Sequence, residues 1–175
     1  MTHLSELDNL LRYSGSSIRV TGKKGIRMIT SISEDLRSKL INTGVGGFTL
    51  QEYGTCVAWD SALGGAYPVL GHSKSAYAYK RGAADPIFAR GSGLISYTNV
   101  LVGFTNDQCK PDMSMRPYAV LADKNGNTYT VYGGTVHRSI GYIALQNKNA
   151  FKSGTDAYNY IWDIIHTVYG KDYKG

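Results

Sequence analysis

The sequence predicts a mainly β fold, an antiparallel β-sandwich with short helices at its N- and C-termini, on three observations. The run 114–145, SMRPYAVLADKNGNTYTVYGGTVHRSIGYIAL, sets two alternating segments on either side of Asn125-Gly126. That is the pattern of a β-hairpin whose two turn residues take the positive φ of a type I′ turn. A second pair of segments, SSIRVTG and GIRMITSIS, is joined across Gly22-Lys23-Lys24-Gly25. The composition agrees, since 21 Gly and 14 Tyr with only 18% charged residues suit short strands, frequent turns and an aromatic surface. At 175 residues and 42% hydrophobic, a single domain over 1–175 can bury a core of its own.

Each element follows from local pattern. LSELDNLLRY places Leu4, Leu7, Leu10 and Leu11 at helical spacing behind Ser5, so 1–14 reads as an N-terminal helical arm over one edge of the body. GIRMITSIS alternates through Ile26, Met28 and Thr30 as a strand. Ser33 caps a short helix with Glu34 and Asp35 in its first turn and Leu36, Leu40 and Ile41 on one face, ended by Gly44, Gly46 and Gly47. The dense apolar run QEYGTCVAWD, within 48–60, reads as a central strand. Residues 61–92 carry Gly64-Gly65, Pro68, Gly71, Gly82 and Pro86 and read as one long, tyrosine-bearing loop. GLISYTNVLVGF returns to strand, and Thr135 to Leu145 read as one further strand after the hairpin. Over 155–170, Thr155 or Asp156 caps a helix packed on the body, with Tyr158, Ile161, Trp162, Ile165 and Val168 or Tyr169 along its stripe and Gly170 at its end. Trp162, on that stripe, is assigned to the core.

Charge and chemistry then exclude several classes. The net charge of +6 is spread evenly, and no stripe of Lys or Arg with interleaved aromatics points to nucleic acid. No window approaches the roughly eighteen apolar residues of a membrane helix, so no membrane insertion is expected. The acidic residues of the N-terminus stand where a leader peptide carries basic ones. Cys56 and Cys109 lack metal-site spacing, and sequence leaves open whether they are bridged. His3, His72, His137 and His166 are scattered, with no hydrolase or metalloprotease signature, and no pair of acids stands out for glycoside hydrolysis. The expectation is a non-catalytic protein with no metal and no cofactor. Asp123 to Asn127 is read as the hairpin turn in preference to a calcium loop, because no distal Glu follows. Arg19, Arg27, Arg116 and Arg138, each in or beside a strand, are read as a structural ion-pair cluster with Glu52, Asp35 and Asp60 in preference to a site for an anionic sugar.

The order SIRVTGKKGIRMITSIS, EYGTCVAWD, GLISYTNVLVGF and RPYAVLADKNGNTYTVYGGTVHRSIGYIA, spanning 17–145, resembles an accessory module of cell-surface and secreted proteins from Firmicutes. Such modules carry "IR..G..GIRF", "YGTLV.P", "I.YTAVL.GI" and "RSVYDVA" in that order. The resemblance implies a β-sandwich that sits beside glycoside hydrolases, dockerins and sugar-binding modules, in an extracellular or cell-surface setting. It implies other modules of one parent chain as partners and a monomer as the state. No activity carries over from it. This chain departs from the pattern at Cys56, Asp60, the 61–92 loop and NDQCKPDMS.

Sugar binding needs flat rings that stack on pyranose faces, with polar groups to bond the hydroxyls. Trp59, at a strand end, is the best placed ring, and Tyr67, Tyr77 and Tyr79 extend a platform with Lys80, Arg81 and Asp85 as polar partners. The expected function is therefore a carbohydrate-binding or attachment module for a plant glucan such as starch. The alternative is a structural spacer or protein-interaction module without sugar affinity, whose rings would be buried.

Overall fold

The computed structural model describes residues 7–72, 76–80 and 87–175, with the backbone alone described for 76–80. Their strands form two antiparallel sheets. One holds β1 (Leu11–Arg19), β2 (Gly25–Ser33), β5 (Ala89–Gly91) and β6 (Leu94–Val102), in the order β1-β2-β6-β5. The other holds β3 (Thr49–Trp59), β4 (Ala76–Lys80), β7 (Asp112–Ala122) and β8 (Thr128–Tyr132), in the order β4-β3-β7-β8, with β9 (Val136–Ser139) also paired to β7. Four α-helices accompany them among the described residues: α1 (Glu34–Asn42), α2 (Asp60–Leu63), α3 (Ile140–Gln146) and α4 (Asp156–Tyr169).

Strand alternation decides which side chains meet the other sheet. The Tyr53 ring of β3 stands edge-on to Tyr97 of β6, with centroids 4.6 Å apart. Thr55 Oγ1 donates to Asn99 Oδ1 at 2.8 Å, and the Tyr97 hydroxyl donates to the Gly54 carbonyl at 3.0 Å. All four side chains are buried. Burying such polar groups unpaired would cost ~1–3 kcal/mol each, so these bonds hold β6 against β3 in one arrangement.

Two clusters of buried side chains surround this contact. In one, Leu10, Ile32, Leu40, Tyr53, Ile95 and Leu121 bring β2, β3, β6 and β7 together with α1. In the other, Met28, Met113, Met115, Ile143, Ile161 and Ile165 seat α3 and α4 on the strands. The helix ends follow the expected chemistry, with Ser33 accepting from Leu36 N and Thr155 from Tyr158 N.

Several expectations are corrected. The N-terminal arm is not helical to residue 14, because Leu11 opens β1 opposite Ile32 and ladder pairing overrides the helical spacing of the leucines. Residues 135–145 are not one strand. Ser139 ends β9 and accepts from Tyr142 N as the N-cap of α3, and Ile140, Ile143 and Ala144 bury at helical spacing. The hairpin between β7 and β8 exists with a different turn. Asp123 N donates to Asn127 O, Gly126 N donates to Asp123 O, and Gly126 alone takes a positive φ, 84°. This is a type I turn closed by a glycine bulge, stabilised where the Asp123 carboxylate accepts from Asn125 N and Asn127 N. The 61–92 stretch, read as one loop, holds the rest of α2 after Asp60 and, among the described residues, β4 and β5. Cys56 and Cys109 are separate buried thiols.

Gly141 sets how closely α3 approaches α4, since a Cβ there would lie 2.6–2.9 Å from the branched end of Val168. Alanine normally adds about 1 kcal/mol to a helix, but here the overlap costs about 1–3 kcal/mol. Gly141→Ala is therefore expected to lower the melting temperature by a few degrees, measured by calorimetry. Burial also pushes the Cys56 thiol from 9.0 up to about 11 and the Tyr13 phenol from 10.0 up to about 12. These groups stay protonated in the folded chain while the unfolded chain ionises, so their stabilisation is complete below pH 9 and is lost as pH rises through the folded values. Urea midpoints are expected to hold from neutrality to about pH 9 and to fall between pH 9 and 11.

Candidate functional site

Of the residues expected to form a platform, Trp59 and Tyr67 lie on opposite faces of the second sheet. Trp59 is half-buried and packs against the core cluster beneath α4, on the face of β3 that carries Val57. Tyr67 is exposed, at 61%. It lies over the opposite face of the second sheet, with the Arg116 guanidinium 5.3 Å from its centroid. Tyr77, Tyr79 and Lys80 fall in β4, with Tyr77 opposite Cys56 and Cys56 opposite Arg116. Arg81 and Asp85 lie outside the described residues.

Arg116 organises that face. Its guanidinium also lies 4.1 Å from the Tyr132 centroid, while Nε donates to the Gly133 carbonyl and Nη1 to the Pro68 carbonyl. The Tyr132 hydroxyl accepts from Leu70 N at 3.0 Å. The loop 64–72 is therefore strapped onto β7 and β8 by one cation and two rings, the Tyr132 ring acting also through its hydroxyl. The expected ion-pair cluster is not what these arginines form. Arg27 bonds Ser17 and covers Phe88, Arg138 covers Tyr142, and Arg19 bonds the Thr21 carbonyl. Glu52 instead accepts from the Tyr118 hydroxyl at 2.7 Å, and Asp35 pairs with Lys39. Such cation–π contacts contribute about 0.5–1 kcal/mol each at exposed sites and leave no carboxylate to desolvate.

A different aromatic surface lies on α4. Ile161, Ile164 and Ile165 bury into the core, which leaves Tyr158, Trp162 and His166 half-buried along one edge of the helix, with Trp162 still packed against the core and its indole nitrogen buried. The Trp162 ring lies 6.0 Å from Tyr158 and 5.4 Å from His166. These three rings, with Tyr173, Asn159 and Asp163, line a cleft of about 460 Å³. His166 Nε2 donates to the Tyr173 carbonyl at 3.1 Å and holds the C-terminal segment beside the row. The stripe expected from spacing holds Tyr158 and Trp162 with Ile161 and Ile165, and Trp162 does pack against that core, while His166 extends the aromatic edge beyond it. The distinguishing signal was aromatic residues spaced by four, each followed directly by a polar residue at Asn159 and Asp163 or by Thr167.

Beside it lies a basin of about 280 Å³, lined by Asp112, His137, Arg138, Ser139, Tyr142 and Tyr169. Tyr142 and Tyr169 are each about two-fifths exposed, at 40% and 38%. Burial first, then the nearby phenols of Tyr173 and Tyr142 and the Asp112 carboxylate, raise the Tyr169 phenol above its ordinary range. His137 is fixed from behind. Its Nδ1 lies 2.9 Å from Ser114 Oγ and 3.0 Å from Asp60 Oδ2, while Ser114 Oγ donates to Asp60 Oδ1 at 2.5 Å. Serine, histidine and aspartate meet here, but both partners address one ring nitrogen and Ser114 is buried. A proton relay needs the serine on the other nitrogen and open to substrate. The triangle orients the imidazole and holds β9 to β7 and α2.

Among the described residues no three His, Cys, Asp or Glu side chains are grouped to hold a metal ion, and no helix is long and apolar enough to cross a membrane. Tyr132→Phe is expected to leave Leu70 N–H without its acceptor, costing about 1 kcal/mol. Amide exchange at Leu70, followed by mass spectrometry or NMR, should then accelerate about fivefold while core amides keep their rates. No protein-family model, curated protein or solved structure matches this chain.

Proposed function

We propose that this protein is a non-catalytic carbohydrate-binding module of a bacterial extracellular or cell-surface protein, taking a plant glucan such as starch. We further propose that its two sheets are the layers of one β-sandwich. The observation that carries the reading is the aromatic row on α4. The three half-buried rings, tilted 44° and 48° from one another, wall a cleft whose ring surfaces suit stacking on a pyranose, and Asn159 and Asp163 stand beside them as hydroxyl partners. Tyr67, exposed and backed by Arg116, offers a further ring on the second sheet. The resemblance of segments 17–145 to accessory modules that sit beside glycoside hydrolases supports a polysaccharide as the ligand class.

Helix-borne rings suit this task because their spacing is set by the backbone and the helix is seated through three buried isoleucines. Little ordering entropy is then lost on binding. The alternative, a spacer or protein-interaction module, draws on Trp59 and Trp162, both of which pack on the core where a platform would present them in full.

Affinity electrophoresis through starch, amylose, xylan and soluble cellulose derivatives tests the reading. The wild type is expected to be retarded by a glucan, and Trp162→Ala to weaken that retention about tenfold, equivalent to ~1.4 kcal/mol. Loss on Tyr67→Ala alone would move the platform to the second sheet. Unretarded migration on every polysaccharide would reject sugar binding in favour of the spacer.

A further inference from the structure

The cleft on α4 and the basin beside it share a wall. Tyr169, which lines the basin, stacks on Tyr173, which lines the cleft, with centroids 5.1 Å apart and planes 30° from parallel. Each depression carries its own rings and its own polar groups. In the cleft these are Trp162 and Tyr158 with Asn159 and Asp163. In the basin they are Tyr142 and Tyr169 with Asp112 and Arg138. A carboxylate that accepts and a guanidinium that donates, set beside exposed phenol rings, match a pyranose presenting vicinal hydroxyls, each of which both donates and accepts. The Arg138 guanidinium already lies over Tyr142, 5.4 Å from its centroid, and is bonded to the His137 carbonyl at 2.7 Å. His137 is held in turn by Asp60 and Ser114. The basin is thus formed before any ligand arrives.

Resting on the carbohydrate-binding reading, we infer that the basin is a second sugar subsite, and that basin and cleft together grip an internal stretch of one glucan chain. α4 runs about 21 Å from Asp156 to Tyr169 at ~1.5 Å per residue, with the cleft along its length and the basin at its C-terminal end. A chain lying along this edge occupies both. A terminal sugar would occupy one alone. Once one subsite is filled, the second is bound at the high effective concentration set by the chain itself, so two weak subsites give a joint affinity that can exceed either by ~10²–10⁴.

Isothermal titration of malto-, cello- and xylo-oligosaccharides, from disaccharide to octasaccharide, tests this on the intact chain. For the glucan that retards the protein, affinity is expected to climb at least about a hundredfold with length and then level off once both subsites are spanned. Tyr142→Ala and Asp112→Asn, on the basin side, are each expected to flatten the climb while leaving disaccharide affinity within about twofold. Trp162→Ala on the cleft side should flatten it and weaken the short ligands as well. Melting curves matching the wild type for the Asp112→Asn variant keep a folding defect from counting as support. Affinity independent of length, or a climb that survives both basin variants, overturns the second subsite and leaves sugar binding standing. Binding to none of the sugars, with none of the polysaccharides retarding the protein, overturns both.

Discussion

A slip of one residue between β3 and β7 would exchange every side chain on one face of the second sheet for those on the other. In the observed register Thr55 faces Asn99, and Met113 and Met115 face the core, while Cys56, Ser114 and Arg116 take the opposite face. Moved by one, the arginine would enter the apolar interior, where a guanidinium without partners costs several kcal/mol. Thr55 and Asn99 would also lose each other, stranding two buried polar groups. β8 and β9 both pair with β7, so the strap over Arg116 and the triangle around His137 inherit their positions from the same ladder. The pairing of two eleven-residue strands thus places both the core and the surface chemistry.

Much of this was legible locally and little of it globally. β2, β6, α1 and α4 fall where alternation, caps and helical spacing put them, because each is decided by near neighbours in sequence. Leu10 and Leu11 misled because their helical spacing competes with a ladder to Ile32 that no local window contains. The segment after His137 misled in the opposite sense. Its apolar run suits strand or helix equally, and the deciding residue was Ser139, which caps α3. The Asn125-Gly126 signal located the hairpin correctly, yet the turn type depended on Asp123, whose carboxylate gathers the backbone N–H groups of Asn125 and Asn127 and favours a three-residue loop. Of the expected binding residues, Tyr67 is exposed. Trp59 could not be placed from sequence, since which face of a strand end is covered depends on where α3 and α4 dock.

The arginines show why counting charges forecasts contacts poorly. Four cations and three carboxylates were available for an ion-pair cluster, and the chain uses rings and carbonyls for the cations. In a protein with 14 tyrosines an aromatic face is nearly always within reach of a strand-borne guanidinium, and stacking on it requires less desolvation than closing on a carboxylate. Arg116 between Tyr67 and Tyr132, and Arg138 over Tyr142, are two uses of this economy.

The same packing explains why α4 can present rings without yielding to them. A helix that offers aromatic residues to solvent is pulled toward burying them, and the pull is resisted here from the other side. Ile161, Ile164 and Ile165 are seated among Met113, Met115 and Ile143, and Gly141 lets α3 close onto Val168 at a distance no larger residue allows. The opposing isoleucine face is the larger apolar surface, so rotating the helix to hide Trp162 would expose three buried side chains to cover one half-buried ring. The orientation of the row is therefore a consequence of the core, and its stiffness follows from that of the core. His166 extends this control to the C-terminal segment by bonding the Tyr173 carbonyl, which brings Tyr173 against Tyr169 and joins the cleft to the basin. A surface assembled in this way changes only if the core beneath it changes.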